Sequence, residues 1–358
     1  MFKILDWYIG RTIIATSALC LVTLVGLSSI IKYVEQLRKV GKGTYDLLDA
    51  LYFVILSMPR DIEMFFPMAA LLGALIGLGM LAASSELVVM QAAGYSKLDI
   101  GISVLKTAIP LMLIVMALGQ WGAPQAQKMA RDLRAFATSG GNIAAVRAGV
   151  WAKDANDFIY LARVDNQAKL YGVTVWQFDD EHKLKNILFA RKADYQSKDA
   201  GWLLSDVSIT QMKNEAKISE KKVDTLNWAT TLTPDKLAVV TVKPEEQSLT
   251  GLYDYVNYLK DSELDAARYE LAFWRKALQP ISVAVMMLLA LSFVFGPLRS
   301  VTMGARILSG VIAGFTFYIS NEVFGPMTLV YNIHPIFGAL GPSLIFLLIT
   351  IGLLNRKL

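Results

Sequence analysis

Five basic residues, Lys32, Arg38, Lys39, Lys42 and Arg60, crowd one short stretch of this chain, against Glu35, Asp46, Asp49 and Asp61. Lysine supplies compact charge and arginine a planar fork, and phosphate is the anion that suits a mixture of both. The same cations could instead pair with those acids and lay their stems along apolar surface. Spacing leaves both readings open. Catalytic groupings do not emerge: there is no G-x-S-x-G, no H-E-x-x-H and no C-x-x-C, and the two histidines, His182 and His334, lie far apart. No G-x-x-x-x-G-K-[ST] occurs, so the usual ATP-cradling loop is missing. The single cysteine, Cys20, makes no disulfide framework. The reading is of a non-enzymatic chain, with no metal or cofactor expected.

Charge-free stretches must position those cations. Uncharged runs of 20, 22, 21 and 22 residues separate Arg11 from Lys32, Glu63 from Glu86, Lys106 from Lys128 and Lys276 from Arg299. Arg306 to Glu322 encloses 15 more, and no Asp, Glu, Lys or Arg appears from Val323 to Asn355. About 20 apolar residues match the roughly 30 Å hydrocarbon layer. Six spans are expected, three before and three after a polar insert, and the short fifth can lengthen through Glu322. The 54% hydrophobic content and mean hydropathy of +0.44 fit a membrane protein. Residues 12–31 read as an uncleaved helix.

Residues 123–270 hold 20 basic and 21 acidic residues, leaving 15 and 9 for the rest. The basic excess therefore sits in the membrane part, which argues against nucleic acid. Lys3, Arg11, Arg299, Arg306, Arg356 and Lys357 place both ends in the cytoplasm by the positive-inside tendency. The 32–60 cluster then lies outside, against that tendency. Asp46 to Met58 is too short to span, and is expected at the interface or as an extension of span two, with Pro59 as the break.

The expected domains are 1–122 with spans one to three, 123–260 as an inserted all-β domain (a sandwich, a jelly-roll-like fold or a curled sheet, and periplasmic if the cell has two membranes), and 261–358 with spans four to six. The fold class is thus mainly α-helical and membrane-embedded. Alternation from residue 130 onwards predicts strands at Asp157–Val164, Leu170–Phe178, Asn186–Ala190 and Trp202–Thr210. Turn chemistry separates them at Asp165-Asn-Gln, Asp179-Asp-Glu-His, Ser197-Lys-Asp-Ala-Gly and Thr233-Pro-Asp. Leu252 to Ala267 turns helical, with Asp261 or Ser262 as a cap for a helix running into span four.

The segment from Phe65 to Gly94 is the most specific. Ala70, Gly73 and Gly77 allow close helix contact. The chain then enters a short helix over 84–94, with Ser84 or Ser85 capping, Glu86 in the first turn, Leu87, Met90 and Gln91 on one side and Gly94 as the stop.

These blocks, with Tyr8-Ile-Gly-Arg-Thr, Ile30-Ile-Lys-Tyr-Val, Lys106-Thr-Ala-Ile-Pro, Trp151-Ala-Lys-Asp, Leu232-Thr-Pro-Asp-Lys-Leu, Gln279-Pro-Ile-Ser-Val-Ala-Val-Met-Met, Phe295-Gly-Pro-Leu-Arg-Ser and Phe324-Gly-Pro-Met-Thr-Leu-Val-Tyr, run along the whole chain. The chain resembles the LptF/LptG permease family of the lipopolysaccharide export ABC transporter. The resemblance implies extraction of lipopolysaccharide from the outer leaflet of the inner membrane. It also implies a heterodimer with LptF, a pair of LptB ATPases, the partner LptC and a bridge of LptA. Glu86, Leu87, Met90, Gln91 and Gly94 look like the family's ATPase-coupling helix. By the same resemblance Lys32, Arg38, Lys39, Lys42, Arg60, Arg131 and Arg134 would meet lipid phosphates, Arg38 standing where relatives carry Lys. Phe65, Phe66 and Tyr318 would line an acyl-chain cavity. Two alternatives from other classes are a secondary transporter of an anionic solute, for which Glu322 is the one intramembrane carboxylate candidate, and a membrane scaffold with a sensory β domain.

Overall fold

The computed structural model describes residues 4–355 except 139–148, 155, 165–168, 180, 182, 198–200, 215–216, 231, 234–242, 263 and 296–300. The expected turn at Asp165-Asn-Gln, His182, most of Ser197–Gly201, and the topology-setting Lys3, Arg299, Arg356 and Lys357 lie outside the described residues.

Helices α1 (Ile4–Leu37), α2 (Leu47–Ala83), α3 (Glu86–Ala92), α4 (Lys97–Ala117) and α5 (Ala123–Thr138) come first, a single wide turn at Leu118–Gly122 joining α4 to α5. After the sheet follow α6 (Leu249–Asp261), α7 (Ala267–Ala277), α8 (Gln279–Phe295), α9 (Met303–Val330) and α10 (Pro335–Asn355). Five are long and apolar enough to cross a membrane, and a sixth arises when α7 and α8, bent by 50°, count as one span. That is the expected three-plus-three arrangement.

Helix α2 is the centre of the bundle. Its small residues let α1 come close: a Cβ on Gly73 would overlap Ser17 Cα, and Thr16 Oγ1 donates to Gly73 O at 2.7 Å. Leu71, Leu75 and Leu78 are fully buried among residues from α1, α4, α8 and α9. Residues 46–58 extend this helix rather than lying at the interface. Asp46 caps it, accepting from Asp49 N at 2.8 Å while Asp49 accepts from Asp46 N at 3.1 Å. Pro59 and Pro67 both sit inside α2, so Pro59 is no break. Packing from neighbouring helices tolerates the lost backbone bond in an apolar setting.

The strands are β1 (Val150–Asp154), β2 (Asp157–Val164), β3 (Lys169–Phe178), β4 (Leu184–Ser197), β5 (Gly201–Asn214) and β6 (Lys217–Trp228). They form one antiparallel sheet in sequence order. The inserted β domain is present, and its six described strands make a meander. Its apolar face carries Ile159, Leu161, Val173, Val175, Trp202 and Leu204, all at 0% exposure. Helix α6 covers that face with Tyr255, Tyr258 and Leu259. Tyr258 Oη donates to Lys153 O at 2.7 Å, and Trp202 Nε1 to Leu232 O at 2.7 Å.

Two boundaries differ from expectation. Helix continues to Thr138 instead of giving way at 130, because Ala130 and Ala137 are buried on one side and Arg131 and Arg134 stand a turn apart. Asp261 ends α6 and Ser262 follows it as the C-terminal cap, so neither starts α7; Asp265 accepts from Ala267 N at 2.9 Å there.

Candidate functional site: two opposite ends of one bundle

The expected cations all lie at the β-domain end of the bundle, and they divide into two kinds. Lys32 reaches Asp61 at 2.5 Å, and Asp61 is only 2% exposed. Arg60 donates to Glu63 at 3.2 Å, and Arg131 pairs with Glu246 at 3.1 Å. These three are the local pairing that the sequence left open. Each counters an acid on a packed helix or its flank, where an unpartnered charge would be costly.

Lys39, Lys42 and Arg134 are arranged otherwise. Lys39 sits just past α1, with its ammonium 3.5 Å from Gln36 Oε1. Burial first, and then the nearby positive charges of Arg134 and Lys42, push its pKa below the ordinary lysine value, while Glu35 opposes the shift. Arg134 lies with its guanidinium 4.6 Å from the centroid of Phe53. The run of turns after α1 is fastened onto α5, since Thr44 N donates to Ala137 O at 2.8 Å and Tyr45 is buried. That fastening holds like charges together. Arg38 and Lys42 are exposed and make no ion pair among the described residues.

Of the three apolar candidates, Phe66 is 4% exposed inside the helical core, Phe65 is half-buried, and Tyr318 is exposed. Tyr318 lines a cavity of about 190 Å³ together with Arg60, Glu63, Arg275, Lys276 and Glu322. Phe66 therefore does not face that space in this chain.

At the other end, Glu86 opens α3. It accepts from Tyr8 Oη at 2.7 Å and from Ser84 Oγ at 2.8 Å. Those two hydrogen bonds hold its carboxyl below the usual carboxylate range. Ser85 takes the cap position at φ 63° without a side-chain cap bond, so neither serine caps as expected; Ser84 instead serves Glu86. Gly94 has φ +94°, the conformation that lets it stop the helix. Leu87 and Met90 face inwards, at 2% and 7% exposure, while Val88 and Val89 are exposed. Position Gln91 is half-buried. The side of α3 open to a partner is therefore that of Val88, Val89 and Ala92.

Sequence reasoning missed Glu63 and Lys276 as a pair. Glu63 is 4% exposed, Lys276 Nζ reaches it at 3.0 Å, and Gln279 Nε2 donates to Glu63 O at 2.8 Å. Both residues had marked only the ends of charge-free runs. Their signal was positional: two charges at the same depth of adjacent spans need each other. Tyr8 was also missed as the partner of Glu86, a contact across 78 residues with no local pattern.

A model of the family described as "Lipopolysaccharide export system permease LptF/LptG" matches residues 7–356. The chain is 51% identical over 356 residues to the lipopolysaccharide export system permease protein LptG of Escherichia coli (strain K12), covering 99% of each chain. It is also 51% identical over 358 residues to LptG of Haemophilus influenzae (strain ATCC 51907 / DSM 11121 / KW20 / Rd), covering 100% of this chain and 99% of that one. Six membrane-length helical segments, a β insert, and like charges gathered beside the first span sit within a match that runs nearly end to end. The chain belongs to the lipopolysaccharide export system permease LptF/LptG family.

Proposed function

We propose that this chain is the membrane permease subunit of a lipopolysaccharide export ABC transporter, which takes lipopolysaccharide from the outer leaflet of the inner membrane and passes it along its β domain towards the outer membrane. The observation that carries the site is the grouping of Lys39, Lys42 and Arg134 at the β-domain end of α1. Like charges held together favour an anionic guest, and a phosphorylated lipid brings phosphate to that depth. Arg38 adds a further exposed cation beside them. Lys32, Arg60 and Arg131 act mainly through their acids and hold the frame of the site.

The substrate's chains explain the rest of the layout. Each CH₂ withdrawn from water is worth about 0.8 kcal/mol, so a lipid with several acyl chains needs a continuous apolar path. The exposed apolar side of α1, including Leu19, Val22 and Ile30, supplies part of one. Tyr318 adds to it from α9. A paralogous permease, LptF, covers the remaining side, and the periplasmic LptC and a bridge of LptA continue the path by adding strands at the edge of the sheet, where β1 and β6 are outermost among the described strands. The termini face the cytoplasm and the β domain the periplasm.

Energy enters at α3. With no nucleotide-binding loop in the sequence, hydrolysis belongs to an LptB dimer docked against Val88, Val89 and Ala92, and Glu86 fixes the start of that helix. The permease itself is not an enzyme. Co-purification of the tagged chain tests this reading: a second permease, an ATPase and bound lipopolysaccharide are expected. Recovery of the chain alone, fully active, would overturn it.

A further inference from the structure

Helices α4 and α8 touch closely at one end and part at the other. A Cβ on Gly101 would lie 3.2 Å from Leu291 Cδ2, so no space remains there. Towards the β domain the two diverge, where α7 and α8 meet at their 50° bend and Pro280 opens α8. Two adjoining cavities of about 300 Å³ and 420 Å³ fill the gap, and Leu113 and Met116 line both. Ile109, Leu113 and Ile281 are exposed, so the groove lies open on the outside of the bundle. From Ile109 to Trp121 it follows α4 and the wide turn after it for about 18 Å, at roughly 1.5 Å per residue. That is close to half of the roughly 30 Å hydrocarbon layer, the depth of one leaflet.

The groove is not uniform. Its deep part is apolar, with Met112, Met116, Ile281 and Ala284, and its β-domain end carries Gln120, Lys276 and Gln279 beside exposed Trp121. Lys276 has a side chain only 11% exposed. It gives one proton to Glu63 at 3.0 Å and one to Gln247 O at 2.7 Å. An ammonium has three, and the third finds no acceptor among the described residues. Arg60 and Lys276 also share the single carboxylate of Glu63, so that carboxylate is not held by Lys276 alone.

We propose that the α4–α8 groove binds a membrane glycerophospholipid, one acyl chain lying along Leu113, Met116 and Ile281 and its phosphate taking the remaining proton of Lys276. An apolar channel of leaflet depth suits one acyl chain laid along it. The cation at its polar end selects a lipid whose headgroup is phosphorylated. The site lies on a different helix pair from the Lys39–Arg134 cations and goes beyond the proposed export reading.

The test uses the purified protein with whatever subunits accompany it, in vesicles of phosphatidylethanolamine and phosphatidylglycerol. A small fraction of the phosphatidylglycerol carries a diazirine on one acyl chain. After photolysis, label at Leu113, Met116 and Ile281 is expected to exceed that at exposed Leu348 by about tenfold, the ratio that two buried methylenes give. The exposed-site variant Leu113→Trp should bring Met116 and Ile281 down to the Leu348 level. Diacylglycerol bearing the same diazirine, without phosphate, should show no enrichment. Even labelling of all lipid-facing helices, equal labelling by diacylglycerol, loss of label on adding lipopolysaccharide, or crosslinking of α4 to another subunit would each overturn the proposal. The unmodified protein's labelling pattern decides even if Leu113→Trp does not fold.

Discussion

Helix α2 and its neighbours α1 and α9 are all long and apolar enough to cross a membrane, yet they live in different surroundings. In its most apolar window α2 is 67% buried within the chain, against 22% for α1 and 17% for α9. The first is fastened by polar contacts as well as by shape: Asp61 to Lys32, Glu63 to Lys276, Gly79 O to Arg306 at 2.8 Å, Gly73 O to Thr16. The other two turn apolar faces outwards, with Leu19, Val22, Leu308 and Phe315 all exposed. In a bilayer apolar exposure is no fault, because lipid is as greasy as leucine. What distinguishes the helices is therefore freedom. The central helix is committed to one packing, and the outer two keep faces for a partner or a substrate.

That contrast can be broken most severely at Glu63. Glu63→Ala leaves the half-buried Lys276 and Arg60 without a carboxylate, and a loss of about 3 kcal/mol is expected in denaturant unfolding of the solubilised chain. The double variant Glu63→Ala/Lys276→Met should recover part of the loss, which would locate the effect in the pair and not in the cavity. Next in size is Gly73→Val. Its side chain would enter Ser17 at the α1–α2 contact, so about 1–3 kcal/mol of destabilisation is expected, with α1 loosened from the bundle.

The β domain should respond to alkali in a defined window. Burial pushes Tyr258 up to about 12 from an ordinary value of 10.0. A raised folded-state value means that the neutral phenol is favoured by folding, so its contribution is complete below pH 10.0 and is lost as pH rises through about 12. The sheet's near-ultraviolet circular dichroism should fade in that interval, and Tyr258→Phe should flatten the pH dependence. Smaller still is the effect of trimming the outer helices. Leu19→Ala or Phe315→Ala should change the stability of the chain alone by less than about 0.5 kcal/mol, yet weaken assembly with a second permease on a gel-filtration column. Val88→Asp should be the mildest for folding, with ATPase binding as the property that falls.

The sequence made the helical layout legible because charge-free runs of span length are a strong signal, and five or six membrane-length segments answer to them. Small residues at Gly73 and Gly77 likewise announced a close helix contact, and the structure supplies α1 as the partner. Strands β1 and β6 were not anticipated, since Lys217–Trp228 is dominated by polar residues and turns just part of its length inwards. The end of α5 was misjudged for the reverse reason, because alternation in a short Ala- and Arg-rich stretch also fits one side of a helix. At the candidate site, residue types were readable and partners were not. Nothing local says that Lys32 is tied to Asp61 while Lys39 faces Arg134. The inward side of α3 was chosen for docking because apolar residues attract attention, but burial in this chain already occupies Leu87 and Met90.

The most direct measurement is lipopolysaccharide release from proteoliposomes holding this chain with the proposed second permease and ATPase, comparing the unmodified protein with Lys39→Gln/Lys42→Gln/Arg134→Gln. With the folded state verified by melting, release per ATP hydrolysed is expected to fall at least about tenfold, the effect of losing one to two charge-assisted contacts, and Lys39→Arg should retain most of it. Unchanged release in the triple variant would contradict a role for that cation group in holding the phosphorylated lipid.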